Sequence, residues 1–187
     1  MAVQKPIATQ PENRNFLAPT GFRFQVNRAP TVSYFGNRVN IPSMTMGVAN
    51  FNNYLNNIPL PGTNIDFEDL TLYFLVDEDL QNYMEIQTWI RGIGFPESLQ
   101  EIYRWQNQDE AIISQPYGTQ LNLYSDGTLT ILDSQQKPSF KVKFENLFPT
   151  NLSTLDFDAQ QTDLQYFTAS VSFKYTIYHI EPITTCC

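Results

Sequence analysis

The chain offers little that could do chemistry. It has one histidine, His179, and its two cysteines, Cys186 and Cys187, are adjacent. A His/Cys metal cluster or a Cys–His nucleophile pair needs more ligands than this. By alternation, His179 falls on the apolar face of the last strand, so a satisfied core or interface histidine is expected there, not a general base. Asp156 and Asp158 put two carboxylates on one face of an extended segment. Paired acids can serve glycosidase or cation chemistry. With no second ligand cluster to complete a site, they read as a solvated face. Asp77-Glu78-Asp79 precede a helical apolar stripe and read as helix-capping acids. Gly92-Ile93-Gly94 lacks the third glycine and the preceding strand of a nucleotide-binding turn, so it reads as a helix stop. Phosphate-loop, nucleophile-elbow and zincin motifs do not occur. No catalytic residue, cofactor or metal is therefore expected.

Composition narrows the class. Of 187 residues, 42% are hydrophobic and only 16% charged, and 14 Phe and 10 Tyr favour a β-rich fold, because flat rings pack well on pleated surfaces. The net charge of -8 argues against a DNA-binding surface built on Lys and Arg. It is compatible with a duplex that passes without sticking. Two adjacent cysteines cannot staple long loops, which fits folding in a reducing cytoplasm. Residues 1–15 are polar and lack a signal peptide's apolar core. The longest apolar run, Leu72 to Val76, is far too short to span a membrane. No membrane partner is expected.

The elements follow from periodicity. Phe22, Phe24 and Val26 alternate with Arg23, Gln25 and Asn27, predicting a half-buried strand that Pro30 closes. Residues 31–65 contain many breakers, including Pro59-Leu60-Pro61-Gly62, yet stay apolar. They predict short strands in an extended hairpin. Its residues Met44, Met46, Phe51, Tyr54, Leu55 and Ile58 are too apolar for a free loop and are the candidate oligomer interface. A strand over 67–76 leads into a helix from Asp77 to about Ile90, ended by Gly92 and Gly94. Pro96-Glu97-Ser98 predicts a second, short helix, and 106–119 a loop. Ser125-Asp126-Gly127 predicts a hairpin turn. Phe140, Val142 and Phe144 mark the next strand. The last strand is predicted to run unbroken over 166–180, more than twice the common strand length. The expected fold is mainly β, a sandwich or partly open antiparallel barrel with one principal helix. The expected domain plan is an arm over 1–15, one domain over 16–180, and a tail over 181–187.

Taken in order, several segments resemble the tail tube proteins of T4-like contractile phages and their baseplate and tail-end paralogues. They are Asn15-Phe16-Leu17-Ala18-Pro19 before the first strand; Ile58-Pro59-Leu60-Pro61-Gly62 and Phe67-Glu68-Asp69-Leu70-Thr71; Asp77-Glu78 before a helix carrying Trp89; and Leu147-Phe148-Pro149-Thr150-Asn151-Leu152 followed by Leu155-Asp156-Phe157-Asp158. The likeness covers about Asn15 to Ile180. It does not include 91–119 or Glu181–Cys187.

The resemblance implies a virion structural protein, assembled in the host cytoplasm. Six copies would form a ring, and rings would stack into the inner tube. Tail sheath and baseplate or tail-end proteins would be partners, and genomic DNA would pass through without specific binding. The tube subunit is the expectation. A baseplate initiator or tail-end cap of the same fold is the alternative. From another class, a carbohydrate- or receptor-binding β-sandwich would use Trp89, Trp105 and Tyr103 as stacking platforms. An enzyme built on Asp156 and Asp158 lacks the rest of a site.

Overall fold

A computed structural model describes residues 16–52, 54–94, 96, 123–158 and 165–183. The order of elements is β1 (Phe22–Val26), α1 (Pro30–Tyr34), β2 (Gly36–Val39), β3 (Met44–Asn52), β4 (Asn57–Phe67), β5 (Leu70–Leu75), α2 (Gln81–Gly94), β6 (Ser125–Leu132), β7 (Pro138–Leu152), β8 (Thr168–Lys174) and β9 (Ile177–Pro182). The mainly β antiparallel fold is as the sequence predicts, with a second helix, α1, added. Pro30 begins that helix instead of merely closing β1, as its fixed φ and missing N–H allow at a first helical position. The calls on residues 1–15, the helix at Pro96-Glu97-Ser98 and the loop over 106–119 fall largely or wholly outside the described residues.

The main sheet runs β1-β6-β7-β8-β5-β2, and β9 also pairs with β7. β7 is the 15-residue spine. Its first half lies between β6 and β9, and its second half pairs with β8. Two four-stranded halves result, β1-β6-β7-β9 and β7-β8-β5-β2. Apolar residues from both halves and both helices form one core, among them Phe24, Phe144, Leu72, Phe173, Val32, Ile86 and Trp89. Trp89 stacks at 6.1 Å on Phe173, and its indole N–H donates to the Leu123 carbonyl at 3.1 Å.

Several local expectations are corrected. Ser125-Asp126-Gly127 is not a turn but the start of β6, with Gly127 paired to Val26 and Phe144. A glycine fits there because a Cβ would sit against the Phe24 ring and Leu147, 3.6 Å from each. The turn comes after β6, where the Asp133 carboxylate accepts from the N–H groups of Gln135 and Lys137. Such Asx bonding replaces the glycine signal.

The unbroken last strand is also corrected. β8 and β9 lie end to end along β7 in one register, Phe148↔Lys174 and Glu145↔Ile177, but part at Tyr175-Thr176. Asn146 of β7, with φ 55, sits opposite the break, and its side chain donates to the Thr176 hydroxyl at 3.2 Å. Pairing to β6 shifts by one residue at the same place. This is a β-bulge with asparagine in the left-handed position. It flips the phase of β7: Val142 and Phe144 are buried before it, Leu147 and Pro149 after it.

α2 begins at Gln81, not at Asp77, and its first turn holds no acid. Leu80, with φ 55, reverses the chain before the helix. Gly92 lies inside α2, which runs on to Gly94.

Candidate assembly surfaces

The residues singled out for catalysis stay apart. The phase flip carries His179 to the solvent side, half-exposed and 3.8 Å from Glu145, so its expected place on the apolar face as a core histidine is corrected. Asp156 and Asp158 are exposed on an irregular segment. Among the described residues no group of three or more His, Cys, Asp or Glu is placed to hold a metal ion. Trp89 is buried and presents no stacking platform, while Tyr103 and Trp105 lie outside the described residues.

What the molecule does present is uncovered surface of two kinds. The first is a ribbon. β3 and β4, of 9 and 11 residues, pair only with each other. At about 3.3 Å per residue the ribbon reaches roughly 30 Å. Pro59 and Pro61 lie within β4 and not in a turn. A two-stranded ribbon tolerates them, because an outward N–H has no ladder bond to lose. The six sequence candidates all stand on or next to this ribbon, from Ile58 at 45% exposed to Tyr54 at 98%. Val48, Leu60 and Ile65 join them, also exposed. Leu60 and Ile65 escape the sequence argument because they sit among prolines and asparagines. At its base the ribbon is fastened by Phe67, whose ring lies 6.0 Å from Tyr175 and 5.7 Å from Tyr178. The Tyr175 hydroxyl donates to the Glu68 carbonyl at 3.0 Å.

The second surface is a pair of sheet edges. In β1-β6-β7-β9 every neighbour is antiparallel, so the outer strands β1 and β9 run in opposite directions. No described strand covers the outer edge of either. The face of this half-sheet away from the core is polar. One row reads Arg23, Thr130, Lys141, Glu181, and the next Gln25, Thr128, Lys143, His179. Lys143 bonds Glu181 at 2.7 Å, and this bond holds the Glu181 carboxyl below the usual range.

Comparison with known proteins decides what kind of chain this is. The family model for phage tail tube proteins matches residues 6–181. The chain belongs to the phage tail tube protein family. It is a tube-type structural protein of a tail particle, as the sequence resemblance implies. Its fold is similar to a chain of the anti-feeding prophage baseplate in a 6-fold symmetrised structure, with TM-score 0.55 and 16% identity over 94% of this chain and 97% of that one. It is similar to a chain of the PVC sheath-tube complex of an extracellular contractile injection system in the extended state, with TM-score 0.54 and 15% identity over 91% and 94%. It is also similar to the anti-feeding prophage tube terminating cap, with TM-score 0.54 and 14% identity over 98% and 100%. No curated protein matches this tail tube chain.

Proposed function

We propose that this tail tube protein is the repeating subunit of the inner tube of a contractile phage tail, arranged as stacked hexameric rings that conduct DNA. The carrying observation is the half-sheet β1-β6-β7-β9, with two open edges of opposite direction. When one copy's β9 meets the next copy's β1, the antiparallel ladder continues without a reversal. Repeating that head-to-tail contact gives either a closed ring or an open filament. Closure removes both edges, which would otherwise recruit other chains. The second half-sheet and both helices lie against the core face of this half-sheet. Bulk on that side belongs on the outside of a ring, so the polar face lines the bore. Sheath and baseplate or tail-end proteins then meet the outer surface and the ends.

The exposed apolar ribbon supports the same reading. Met44, Met46, Phe51, Tyr54, Leu55 and Ile58 gain burial only against a neighbour, at about 1.5–3 kcal/mol for each large side chain fully covered. Negative-stain microscopy and sedimentation of the purified chain test the proposal. Rings that lengthen into tubes are expected. Single rings that never stack would assign the chain instead to the initiator or cap role. Compact monomers at high concentration, even with baseplate partners present, would overturn ring formation altogether.

A further inference from the structure

A cleft of about 660 Å³ opens where β5 runs toward α2 and the chain enters β8. Leu75, Phe157, Tyr166 and Phe167 line it, and the backbone turn at Asp77 and Glu78 borders it. The Phe157 and Phe167 rings meet at 4.8 Å, and Phe157 and Tyr166 are 75% and 77% exposed. The chain's own core leaves this aromatic surface uncovered.

Strand register locates the cleft relative to the ribbon. β2 and β5 pair as Arg38↔Tyr73 and Val39↔Leu72. β3 and β4 pair as Met44↔Phe67, Thr45↔Asp66 and Met46↔Ile65. Each step forward on one strand is one step back on the other, and the count carries through from one pair to the next. The Asn40 N–H donates to the Thr71 carbonyl at 3.4 Å and the Glu68 N–H to the Ser43 carbonyl at 3.1 Å, joining the two ladders. They are one ladder, with Leu75 at its inner end and the ribbon tip at its outer end. The cleft and the tip therefore lie at opposite ends of one structural axis.

The tip complements the cleft. Leu55 and Tyr54 are 90% and 98% exposed and sit among Asn52, Asn56 and Asn57. An apolar side chain suits the aromatic wall, and asparagine amides suit a rim that carries the acidic residues Asp77 and Glu78. We infer that the cleft is the receptor for the ribbon tip of a second copy, with Leu55 and Tyr54 entering beside Phe157 and Phe167. The inference rests on the tube reading in supposing that copies stack. It adds the axial contact, whereas the β9–β1 edges supply the lateral one. Donor and acceptor at opposite ends make a contact that cannot close on itself and so propagates along an axis.

Cross-linking tests this directly, on full chains in which Cys186 and Cys187 are replaced by Ser. Leu55→Cys chains are mixed with Phe157→Cys chains and oxidised, while microscopy scores rings and tubes separately. A covalent dimer of the two variants is expected, absent when Thr128→Cys replaces Phe157→Cys. Phe157→Asp, at an exposed position, is expected to leave circular dichroism unchanged and ring formation intact while mean tube length falls at least tenfold. Rings and tubes of normal length without the cross-link would overturn the docking and leave the tube reading standing. A cross-link from Phe157→Cys to Ala8→Cys in the same chain, in place of Leu55→Cys, would also overturn it, by giving the cleft to the N-terminal arm. Absence of both rings and cross-link would sink both readings. A cross-link without rings would keep the docking alone.

Discussion

Asn82 is the buried polar side chain among the described residues, and it does a backbone's work. Its amide donates to the Leu75 carbonyl at 2.8 Å, and its carbonyl accepts from the Asp77 N–H at 3.3 Å. It thereby closes the passage from β5 into α2, the role that the sequence reading gave to the acids at 77–79. Asn82→Ala leaves a buried carbonyl and an N–H unsatisfied. It is expected to cost about 1–3 kcal/mol, read as a lower urea midpoint with an unchanged slope. Tyr175 gives a second test. Burial, then the neighbouring Tyr178, Asp69 and Glu68, push its hydroxyl up from 10.0 to about 12. A group whose folded pKa is raised contributes stability in full below its unfolded pKa and loses it as pH rises through the folded one. Stability is thus expected to fall between about pH 10 and 12, and Tyr175→Phe is expected to flatten that fall in thermal unfolding scans. Neither role shows in the sequence, because an asparagine in a helix and a tyrosine in a strand look alike whatever they bond.

At the scale of elements, alternation marks a strand wherever one face stays buried from end to end. β1 and β5 obey this, with Phe24 and Val26, and Leu70, Leu72 and Phe74, on the core face. The rule fails at Asn146, where one extra residue turns the buried parity over and takes His179 out to solvent. Apolar types occur on both sides of that break, so the sequence runs through it smoothly. The ribbon is legible as an apolar segment but not as two long strands, since prolines and glycines normally end strands. Gly62 shows why they do not here. A Cβ on it would lie 2.4 Å from the Gly47 carbonyl oxygen, where pairing of β3 with β4 shifts register. Gly62→Ala is therefore expected to part the ribbon locally while the core keeps its melting temperature within about 2 °C, a change within the scatter of surface substitutions. Hydrogen exchange should speed in 44–67 and stay unchanged in β6, β7 and β8. Faster exchange across the whole chain would mean that the ribbon is part of the core's cooperative unit.

At the scale of the whole molecule, a family likeness carried by ordered short segments reached the fold and the tail tube family. It did not reach the surfaces, because each is assembled from distant parts of the chain. The cleft joins residues near 76 to residues near 166, and the polar face joins Arg23 to Glu181. In the tube proposed above, that polar face would bear on what passes through. A conduit for DNA must not hold phosphate, so cations on its wall need carboxylates beside them. Lys174, in the other half-sheet, is paired with Asp69. On the face proposed to line the bore, Arg23, Lys141 and Lys143 stand against Asp126, Glu145 and Glu181, with His179 beside Glu145. Charges of both signs interleave, so this face is nearly neutral. Glu145→Lys with Glu181→Lys would leave five cations against the single carboxylate of Asp126 there in each copy. Preassembled wild-type rings are expected to retain no duplex DNA. The double variant is expected to retain linear duplex, with retention falling steeply as salt is raised. A closed circular duplex cannot thread a ring that is already closed, so it separates bore from outer surface. Retention of linear but not circular duplex by the variant would put the face inside. Equal retention of both would put it outside, and the bore would then have to be lined by β7-β8-β5-β2.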